Sequence, residues 1–261
     1  MLFNDPRTIF NALADNYDAY RPHYPSEALL FLVTLAELDR SSTVADLGTG
    51  TGRLALALAP YVRLVYAIDP ASQMLRKLEE NARVEGISGI QTIEAGGEDT
   101  GLPTDSIDLV TLAQSFHWMQ KERAVQEISR ILKPHQPLVL LWNHSLDTEK
   151  EYYKQLNTCI KQYNPNYMGG ADIVSADFPE AITKSGLFNK PELYTFPFSI
   201  DFTSETYIGY LLSKSYIGAG IPKSKQPEFM TCVHEILHEH FHGNRFTEHY
   251  ETVVLAARSI D

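Results

Sequence analysis

Cysteine is scarce in this chain of 261 residues, and long apolar runs are missing from it. Its two cysteines, Cys159 and Cys232, are far apart in sequence, so we expect neither a disulfide framework nor a cysteine-based zinc site. No stretch approaches the roughly 20 consecutive apolar residues that span a bilayer, and the first residues lack the apolar core of a signal peptide. The sequence therefore predicts a cytoplasmic protein that does not contact a membrane.

Positive charge is also deficient. Lys and Arg total 22 against 33 Asp and Glu, which gives a formal net charge of -11 and an isoelectric point near 5.3. Such a charge disfavours binding to phosphate backbones, so we expect a small-molecule substrate and no nucleic-acid partner. The content of 44% hydrophobic and 21% charged residues is that of an ordinary soluble protein. We expect a single domain over residues 1–261, as a monomer or a homodimer.

Glycine recurs at alternate positions in the turn that follows a short apolar run. Gly48, Gly50 and Gly52 permit a tight reversal and bring backbone N–H groups close to a bound polar ligand. Asp46 stands two residues before the first of them, where its carboxylate can face the same crevice. The next apolar run ends on Asp69, about 20 residues further on, where this topology binds the two hydroxyls of a ribose.

The spacing of the glycines separates two classes of ligand. A dinucleotide fingerprint, G-x-G-x-x-G, needs glycine three residues after Gly50, where this chain has Arg53. The observed D-x-G-x-G-x-G pattern, followed by an acid at the end of the second strand, resembles motif I of class I methyltransferases that bind S-adenosylmethionine (SAM). In that family the glycines face the amino-acid part of the cofactor. A regulatory module that binds SAM without catalysis and a nicotinamide-dependent oxidoreductase remain as alternatives.

The resemblance implies SAM as the cofactor and a set of residues that bind it. Gly97, Glu98 and Asp99 match the acidic stretch that meets the adenine, and Met74 matches a residue that packs on the adenine face, although ordinary helix packing explains it equally well. The implied cofactor site consists of Tyr17, Arg21, Asp46, Gly48, Thr49, Gly50, Gly52, Asp69, Met74, Gly97, Glu98, Asp99 and Gln114.

Tyrosine, arginine and proline are concentrated near the start of the chain. The stretch 15–25 resembles the N-terminal segment that closes over the methionine end of SAM and lines the acceptor pocket. We therefore expect a lid over residues 1–30, with Tyr17 and Arg21 at the cofactor and Tyr20 at the acceptor. The alternative is an irregular surface segment whose tyrosines only pack on the domain.

A second informative stretch ends the fourth predicted strand. The (Asn/Asp)-Pro-Pro-Tyr sequence of enzymes that methylate nucleobase amines is absent, and the stretch 113–118 resembles the small-molecule branch that includes trans-aconitate-type carboxyl methyltransferases. His117 could orient or deprotonate an acceptor, or only cap the next helix. His117, Trp118 and Tyr20 are the candidate catalytic residues, and His144 is a weaker candidate for contacting the acceptor. The predicted reaction is methyl transfer to a carboxylate or hydroxyl oxygen of a small molecule.

The alternation of short β-branched runs with helical stretches predicts a Rossmann-like α/β fold. We expect a seven-stranded sheet that is mostly parallel with an antiparallel last strand, covered by helices on both faces, and an inserted helical cap over 145–195. Strands are predicted near 43–47, 64–69, 90–94, 107–113, 138–143, 194–202 and 248–257, and helices near 52–60, 72–85, 121–132, 149–163, 204–214 and 226–242.

One motif points to different chemistry. His234, Glu235 and His238 match H-E-x-x-H, the pattern that places two imidazoles one helical turn apart for zinc. The extended metzincin pattern fails at Phe241 and Asn244, and the histidines flank an apolar stripe. We therefore expect an amphipathic helix and no metal site.

Overall fold

The computed structural model describes residues 6–167 and 177–260. Seven strands in this part of the chain form one mixed sheet with the order β3-β2-β1-β4-β5-β7-β6. Strands β1 to β5 are parallel, and β7 runs antiparallel to both β5 and β6. This confirms the predicted sheet with its antiparallel last strand. The strands are β1 Thr43–Leu47, β2 Leu64–Ile68, β3 Ile90–Ile93, β4 Leu109–Ala113, β5 Pro137–Ser145, β6 Glu192–Thr203 and β7 Arg245–Arg258.

Helices cover both faces of this sheet and form a further layer beyond its carboxyl edge. The predicted helices between the parallel strands begin and end within a few residues of the observed ones, because glycine and proline stop them clearly. The α-helices are α1 Pro6–Tyr20, α2 Ser26–Leu35, α3 Arg53–Leu58, α4 Ser72–Glu85, α5 Lys121–Ile131, α6 Glu151–Tyr163, α7 Asp177–Lys184, α8 Ser204–Ser213, α9 Ser215–Gly218 and α10 Gln226–His240, with short 3₁₀ helices at Ala59–Tyr61, Phe116–Trp118 and Lys223–Lys225.

The central parallel strands β1, β4 and β5 are buried on both faces, so their sequences are almost continuously apolar. Alternate residues of each strand enter separate clusters on the two sides of the sheet: Leu47 and Val110 lie on one side, and Val44 and Leu109 on the other. All four are fully buried. The rigid sheet fixes the positions of the loops at its carboxyl edge, where the polar residues of the site lie.

A third apolar cluster lies apart from the sheet core. It joins α6, α8 and α10 to the ends of β6 and β7. The cap expected over 145–195 stays a prediction. Of its residues, those of α6 belong to this cluster. Helix α7 packs on the sheet instead, where the ring of its Phe178 stacks on Trp142 of β5 at 5.3 Å. Residues 168–176 of the expected cap lie outside the described residues. The larger share of the cluster comes from the segment between β6 and β7.

The first helix occupies most of the expected lid, of which residues 1–5 lie outside the described part. Phe10, Ala14 and Tyr17 follow helical spacing and pack towards α4. On its other side the Asn16 side-chain amide donates to the carbonyl of Gly209 in α8 at 3.0 Å. Helix α1 therefore connects the sheet domain to the third cluster.

The two cysteines and the H-E-x-x-H pattern both lie outside the site. Contrary to the expectation of no disulfide framework, packing of α6 on α10 brings the Cα atoms of Cys159 and Cys232 to 6.7 Å and the structure joins them as a disulfide. His234, Glu235 and His238 are exposed on α10. Among the described residues no group of three or more His, Cys, Asp or Glu side chains could hold a metal ion, and no helix is both long and apolar enough to cross a membrane.

Candidate active site

The glycine turn after β1 is fastened to the end of β2. The N–H groups of Gly48 and Thr49 both donate to the carbonyl of Ile68, at 2.8 and 3.0 Å. The N–H of Gly50 donates to Asp69 Oδ2 at 2.9 Å. The two features singled out in the sequence, the glycines and the acid, are thus in direct contact.

The three glycines have positive φ angles of 68°, 58° and 83° but different surroundings. A Cβ atom on Gly48 would overlap with Ser115, and one on Gly52 would overlap with Leu78. A Cβ on Gly50 would meet only the Tyr17 ring, at 3.8 Å. Gly50 therefore exposes its backbone to the cavity, whereas Gly52 permits close packing of the turn on α4 and does not line the cavity.

Asp46 and Thr49 lie beneath the turn. The Asp46 carboxylate is completely buried and accepts hydrogen bonds from the hydroxyls of Thr49 and Thr111, both at 2.7 Å. Burial raises the pKa of Asp46 to about 6, although both hydroxyls act in the opposite direction. Neither Asp46 nor Thr49 lines the cavity, so the structure gives them a supporting position under the turn and no contact with the cavity.

The first cavity opens at the carboxyl edge of β1, β2 and β4. It holds about 640 Å³ of space not filled by atoms, including space open to solvent. Its walls are formed by Phe10, Tyr17, Gly48, Gly50, Asp69, Pro70, Met74, Gly96, Gly97, Glu98, Ala113, Gln114, Ser115, Trp118 and Met119.

Asp69 is the buried acid of this cavity, with 8% of its surface exposed. Its Oδ1 accepts the N–H of Ala71 at 2.8 Å, while Oδ2 accepts that of Gly50. Burial raises the pKa of Asp69, and the two backbone hydrogen bonds oppose that rise. Each carboxylate oxygen keeps a lone pair, which suits it to accept from ligand hydroxyls.

The stretch after β3 contributes a different part of the wall. Gly97 is buried against Met119, and Glu98 lines the cavity while its Oε1 accepts the N–H of Gln120 at 2.7 Å. Met74, only 1% exposed, also lines the cavity. Asp99 is exposed and lies outside the cavity, so this acid does not join the other cofactor candidates.

A second cavity adjoins the first, with about 920 Å³ of space not filled by atoms. Phe10, Tyr17, Gln114 and Trp118 line both cavities and form the wall that they share. Gln114 has a φ of 55°, a conformation that is costly for a residue with a side chain and is often found at functional sites. The other residues of the second cavity are Arg21, His117, Trp142, Asn143, His144, Ser145, Tyr153, Tyr210, Lys214, Ser215 and Tyr216.

Arg21 lies in the second cavity and not in the first. The carbon of its guanidinium is 4.9 Å from the ring centre of Tyr17 and 5.9 Å from that of Tyr210. Its Nη2 donates to the carbonyl of Ser213 at 3.4 Å, and its buried Nε has no acceptor within the described residues. Arg21 therefore presents a positive charge with spare donors to whatever occupies this cavity.

Tyr20, a candidate catalytic residue, lines neither cavity. Its ring packs against Gly209 of α8, which would overlap with it if it carried a side chain. The Tyr20 ring therefore faces α8 and neither of the two cavities. The expectation that Tyr20 contacts the acceptor stays a prediction, which the position of this ring outside both cavities does not support.

His117 and Trp118 follow β4 in a short 3₁₀ helix. The Trp118 ring meets Phe10 edge-on at 5.3 Å. The His117 side chain is open to solvent, but the walls of the second cavity surround it. Burial within these walls, followed by the positive charges of Arg21 and Lys121, lowers the pKa of His117 to about 4. The imidazole is therefore neutral at physiological pH and is a weak base.

Several cavity residues were not singled out from the sequence. Phe10 could have been found from its spacing with Tyr17 in an amphipathic α1. Tyr153 comes from α6, Tyr210 from α8 and Lys214 from the position after α8, and no local pattern marks them as site residues.

The fold, the glycine turn and the acid after β2 are the features expected of a class I SAM-dependent methyltransferase. Comparison with known proteins gives the same result, since residues 45–140 match the model of a methyltransferase domain family. The match over residues 45–140 supports a class I SAM-dependent methyltransferase with SAM as its cofactor.

The relatives in curated collections are themselves methyltransferases by name. An uncharacterized methyltransferase-like protein of Schizosaccharomyces pombe is 29% identical over 82% of this chain and 79% of its own length. An uncharacterized methyltransferase of Mycobacterium tuberculosis is 35% identical over 51% of each chain. A Saccharomyces cerevisiae protein described as a probable S-adenosylmethionine-dependent methyltransferase is 30% identical over 63% of this chain and 58% of its own length. For most of these relatives the chain matches little more than half of their length.

Solved structures share the fold. The YcgJ protein of Bacillus subtilis superposes with a TM-score of 0.59 at 18% identity, covering 91% of this chain and all of its own. A phosphoethanolamine N-methyltransferase of Haemonchus contortus, crystallised with SAM, superposes with a TM-score of 0.55 at 15% identity, covering 96% of this chain and 57% of its own. At these identities the likeness extends to the fold alone.

Proposed function

We propose that the protein methylates a carboxylate oxygen of a small organic acid, with SAM in the first cavity and the acid in the second. The observation that carries this proposal is Arg21. Its guanidinium has no carboxylate partner in the described part of the chain, and no acidic side chain lines the second cavity. Because a partly buried charge without a partner is costly, the cavity suits a ligand that brings its own negative charge.

The residues of the first cavity fit the cofactor. Gly50 leaves space where a side chain would stand, the Asp69 oxygens can accept from the ribose hydroxyls, and Met74 offers an apolar surface to the adenine. When bound, SAM supplies an electrophilic methyl group. The shared wall, which includes Tyr17, marks where this group and the acceptor would meet.

The state of His117 favours a carboxylate over a hydroxyl as the acceptor. An alcohol or phenol must lose a proton when it is methylated, and a general base works best when its pKa is near the working pH. His117 has a pKa of about 4, too low for that role. A carboxylate is already ionised, so placement is the main contribution that the protein has to make, and placement can lower a barrier by several kcal/mol.

The test is incubation of the protein with methyl-labelled SAM and a panel of short mono- and dicarboxylic acids, with matched alcohols and phenols as controls. A methyl ester releases its label as volatile methanol on mild alkaline hydrolysis, whereas an ether or an N-methyl product does not. We expect alkali-labile label from the acids alone. Label that is stable to alkali, or no transfer to any acid, contradicts the proposal.

A further inference from the structure

The second cavity contains a lysine that has no carboxylate partner within the described residues. Lys214 stands between α8 and α9, and its half-buried side chain lines the cavity beside Tyr153, Tyr210 and Tyr216. Its Nζ lies 4.4 Å from the ring centre of Tyr210, and no ion pair to it occurs in the described part of the chain. A cation over an aromatic face is stabilised only modestly, so the ammonium keeps its capacity for an anion.

The carboxylate that attracts Lys214 is bonded elsewhere. Glu248 is 1% exposed and accepts hydrogen bonds from the hydroxyls of Ser145, Tyr207 and Tyr250. Burial lowers the pKa of Lys214, but the negative charges of the neighbouring tyrosines in their ionised form and of Glu248 outweigh this and raise the pKa well above its usual value. The ammonium is therefore charged at neutral pH and is held in place without a direct salt bridge.

Lys214 and Arg21 approach the same ring from different parts of the fold. The Arg21 guanidinium carbon is 5.9 Å from the ring centre of Tyr210 and the Lys214 Nζ is 4.4 Å from it, so the two cations cannot be further apart than the sum of these distances. Arg21 follows α1, and Lys214 follows α8. The cavity thus offers two separate cationic groups within the reach of one small molecule.

From this placement we infer that Lys214 forms a second anion subsite, which selects acceptors that carry another anionic group besides the carboxylate to be methylated. The second group would be a carboxylate or a phosphate-like group at the end of a short chain. The inference rests on the proposed function for the place of the first carboxylate. It makes Lys214 a specificity-determining residue that the methyl-transfer chemistry itself does not require.

The test is a binding measurement and does not depend on turnover. Affinities of succinate, glutarate and adipate are measured by calorimetry on the protein saturated with S-adenosylhomocysteine (SAH), each against the monoacid of equal length, namely butyrate, pentanoate and hexanoate. At the best length we expect the dicarboxylate to bind roughly 10- to 100-fold more tightly in the wild type, as a charged hydrogen bond allows. 3-Phosphonopropionate compared with succinate distinguishes a phosphate-like second group from a carboxylate.

The diagnostic variant is Lys214→Met, with Lys223→Met as a matched control at an exposed lysine of the same region. Lys214→Met should lose the preference for dicarboxylates, keep its monoacid affinity, and keep its SAH affinity because Lys214 does not line the first cavity. Lys214→Arg, which keeps the charge, should keep part of the preference. Thermal unfolding in the presence of SAH checks that each variant is folded.

Two results would overturn the subsite: a wild type that binds dicarboxylates no better than monoacids, or a Lys214→Met variant that weakens both to the same extent. Different results would contradict the subsite and the proposed reaction. Equal esterification of mono- and dicarboxylic acids would remove the subsite alone. Dicarboxylate binding that depends on Lys214, without any alkali-labile product, would remove the proposed reaction alone.

Discussion

Substitution of Asp69 by asparagine tests the cofactor cavity with little change in shape. The carboxylate accepts the N–H groups of Gly50 and Ala71 through separate oxygens. An asparagine side chain has only one oxygen, and its NH₂ group cannot accept. In either orientation one backbone N–H loses its acceptor, and the ligand hydroxyl beside it loses one as well.

The size of the effect follows from these two losses. A hydrogen bond to a charged group contributes about 1.5 to 3 kcal/mol, and an unsatisfied buried donor costs about 1 to 3 kcal/mol. The hydrogen bond to the ligand is lost only in the complex, so we expect SAH binding to weaken by about 1.5 to 3 kcal/mol, or roughly 10- to 150-fold. The unpaired backbone N–H is present with or without ligand and should lower the free energy of unfolding by about 1 to 3 kcal/mol. Because burial raises the pKa of Asp69, the neutral amide removes a desolvation cost that offsets part of this loss.

Calorimetric titration with SAH measures the effect, and Asp99→Asn is the matched control because Asp99 is exposed and lies outside the cavity. The control should bind SAH as the wild type does. A folded Asp69→Asn protein with unchanged SAH affinity would show that the acid after β2 does not contact the cofactor. Equal losses in the two variants would contradict the placement of the cavity.

Further predictions concern the turn and the histidine. Gly50→Val should abolish SAH binding in calorimetry, because the valine side chain would project towards Tyr17 in the cavity. Gly52→Ala should instead lower the melting temperature, because its methyl group would overlap with Leu78. A Gly50→Val protein that binds SAH but is unstable, together with a stable Gly52→Ala protein that does not bind it, would contradict both assignments. His117→Asn should lower kcat by less than about tenfold and raise the acceptor KM. Since His117 is protonated only as the pH falls towards 4, the kcat of the wild type should not change with pH between about 6 and 7. A hundredfold loss of kcat in the variant, together with a wild-type kcat that falls below pH 7, would indicate that His117 acts as a base.

The sheet domain could be predicted because its signals are local. Each parallel strand is an apolar run bounded by turn residues, and the tight turn after β1 needs glycine, so Gly48, Gly50 and Asp69 indicated the edge of the sheet where the cavity lies. A short apolar run between turn residues is typical of a strand that is buried on both faces of a parallel sheet. The same local patterns placed β6 and β7 within a few residues.

The acceptor cavity could not be predicted in the same way, because its residues meet only through the tertiary fold. Arg21 and Lys214 are brought to one ring by the contact of α1 with α8, and neither has a sequence pattern that indicates an anion site. Helix α1 itself was missed because polar aromatics and the prolines at 22 and 25 obscured its apolar spacing. The pairing of Cys159 with Cys232 depends likewise on helices that are distant in sequence.

The most direct test of the central claim is the effect of Arg21→Gln on the two Michaelis constants, measured with an acid that accepts label from SAM. Arg21 lines the second cavity and not the first, so the variant should raise the KM of the acid by roughly 10- to 100-fold and leave that of SAM within about twofold. An unchanged KM for the acid, or a rise confined to SAM, would contradict the assignment of the second cavity to an anionic acceptor.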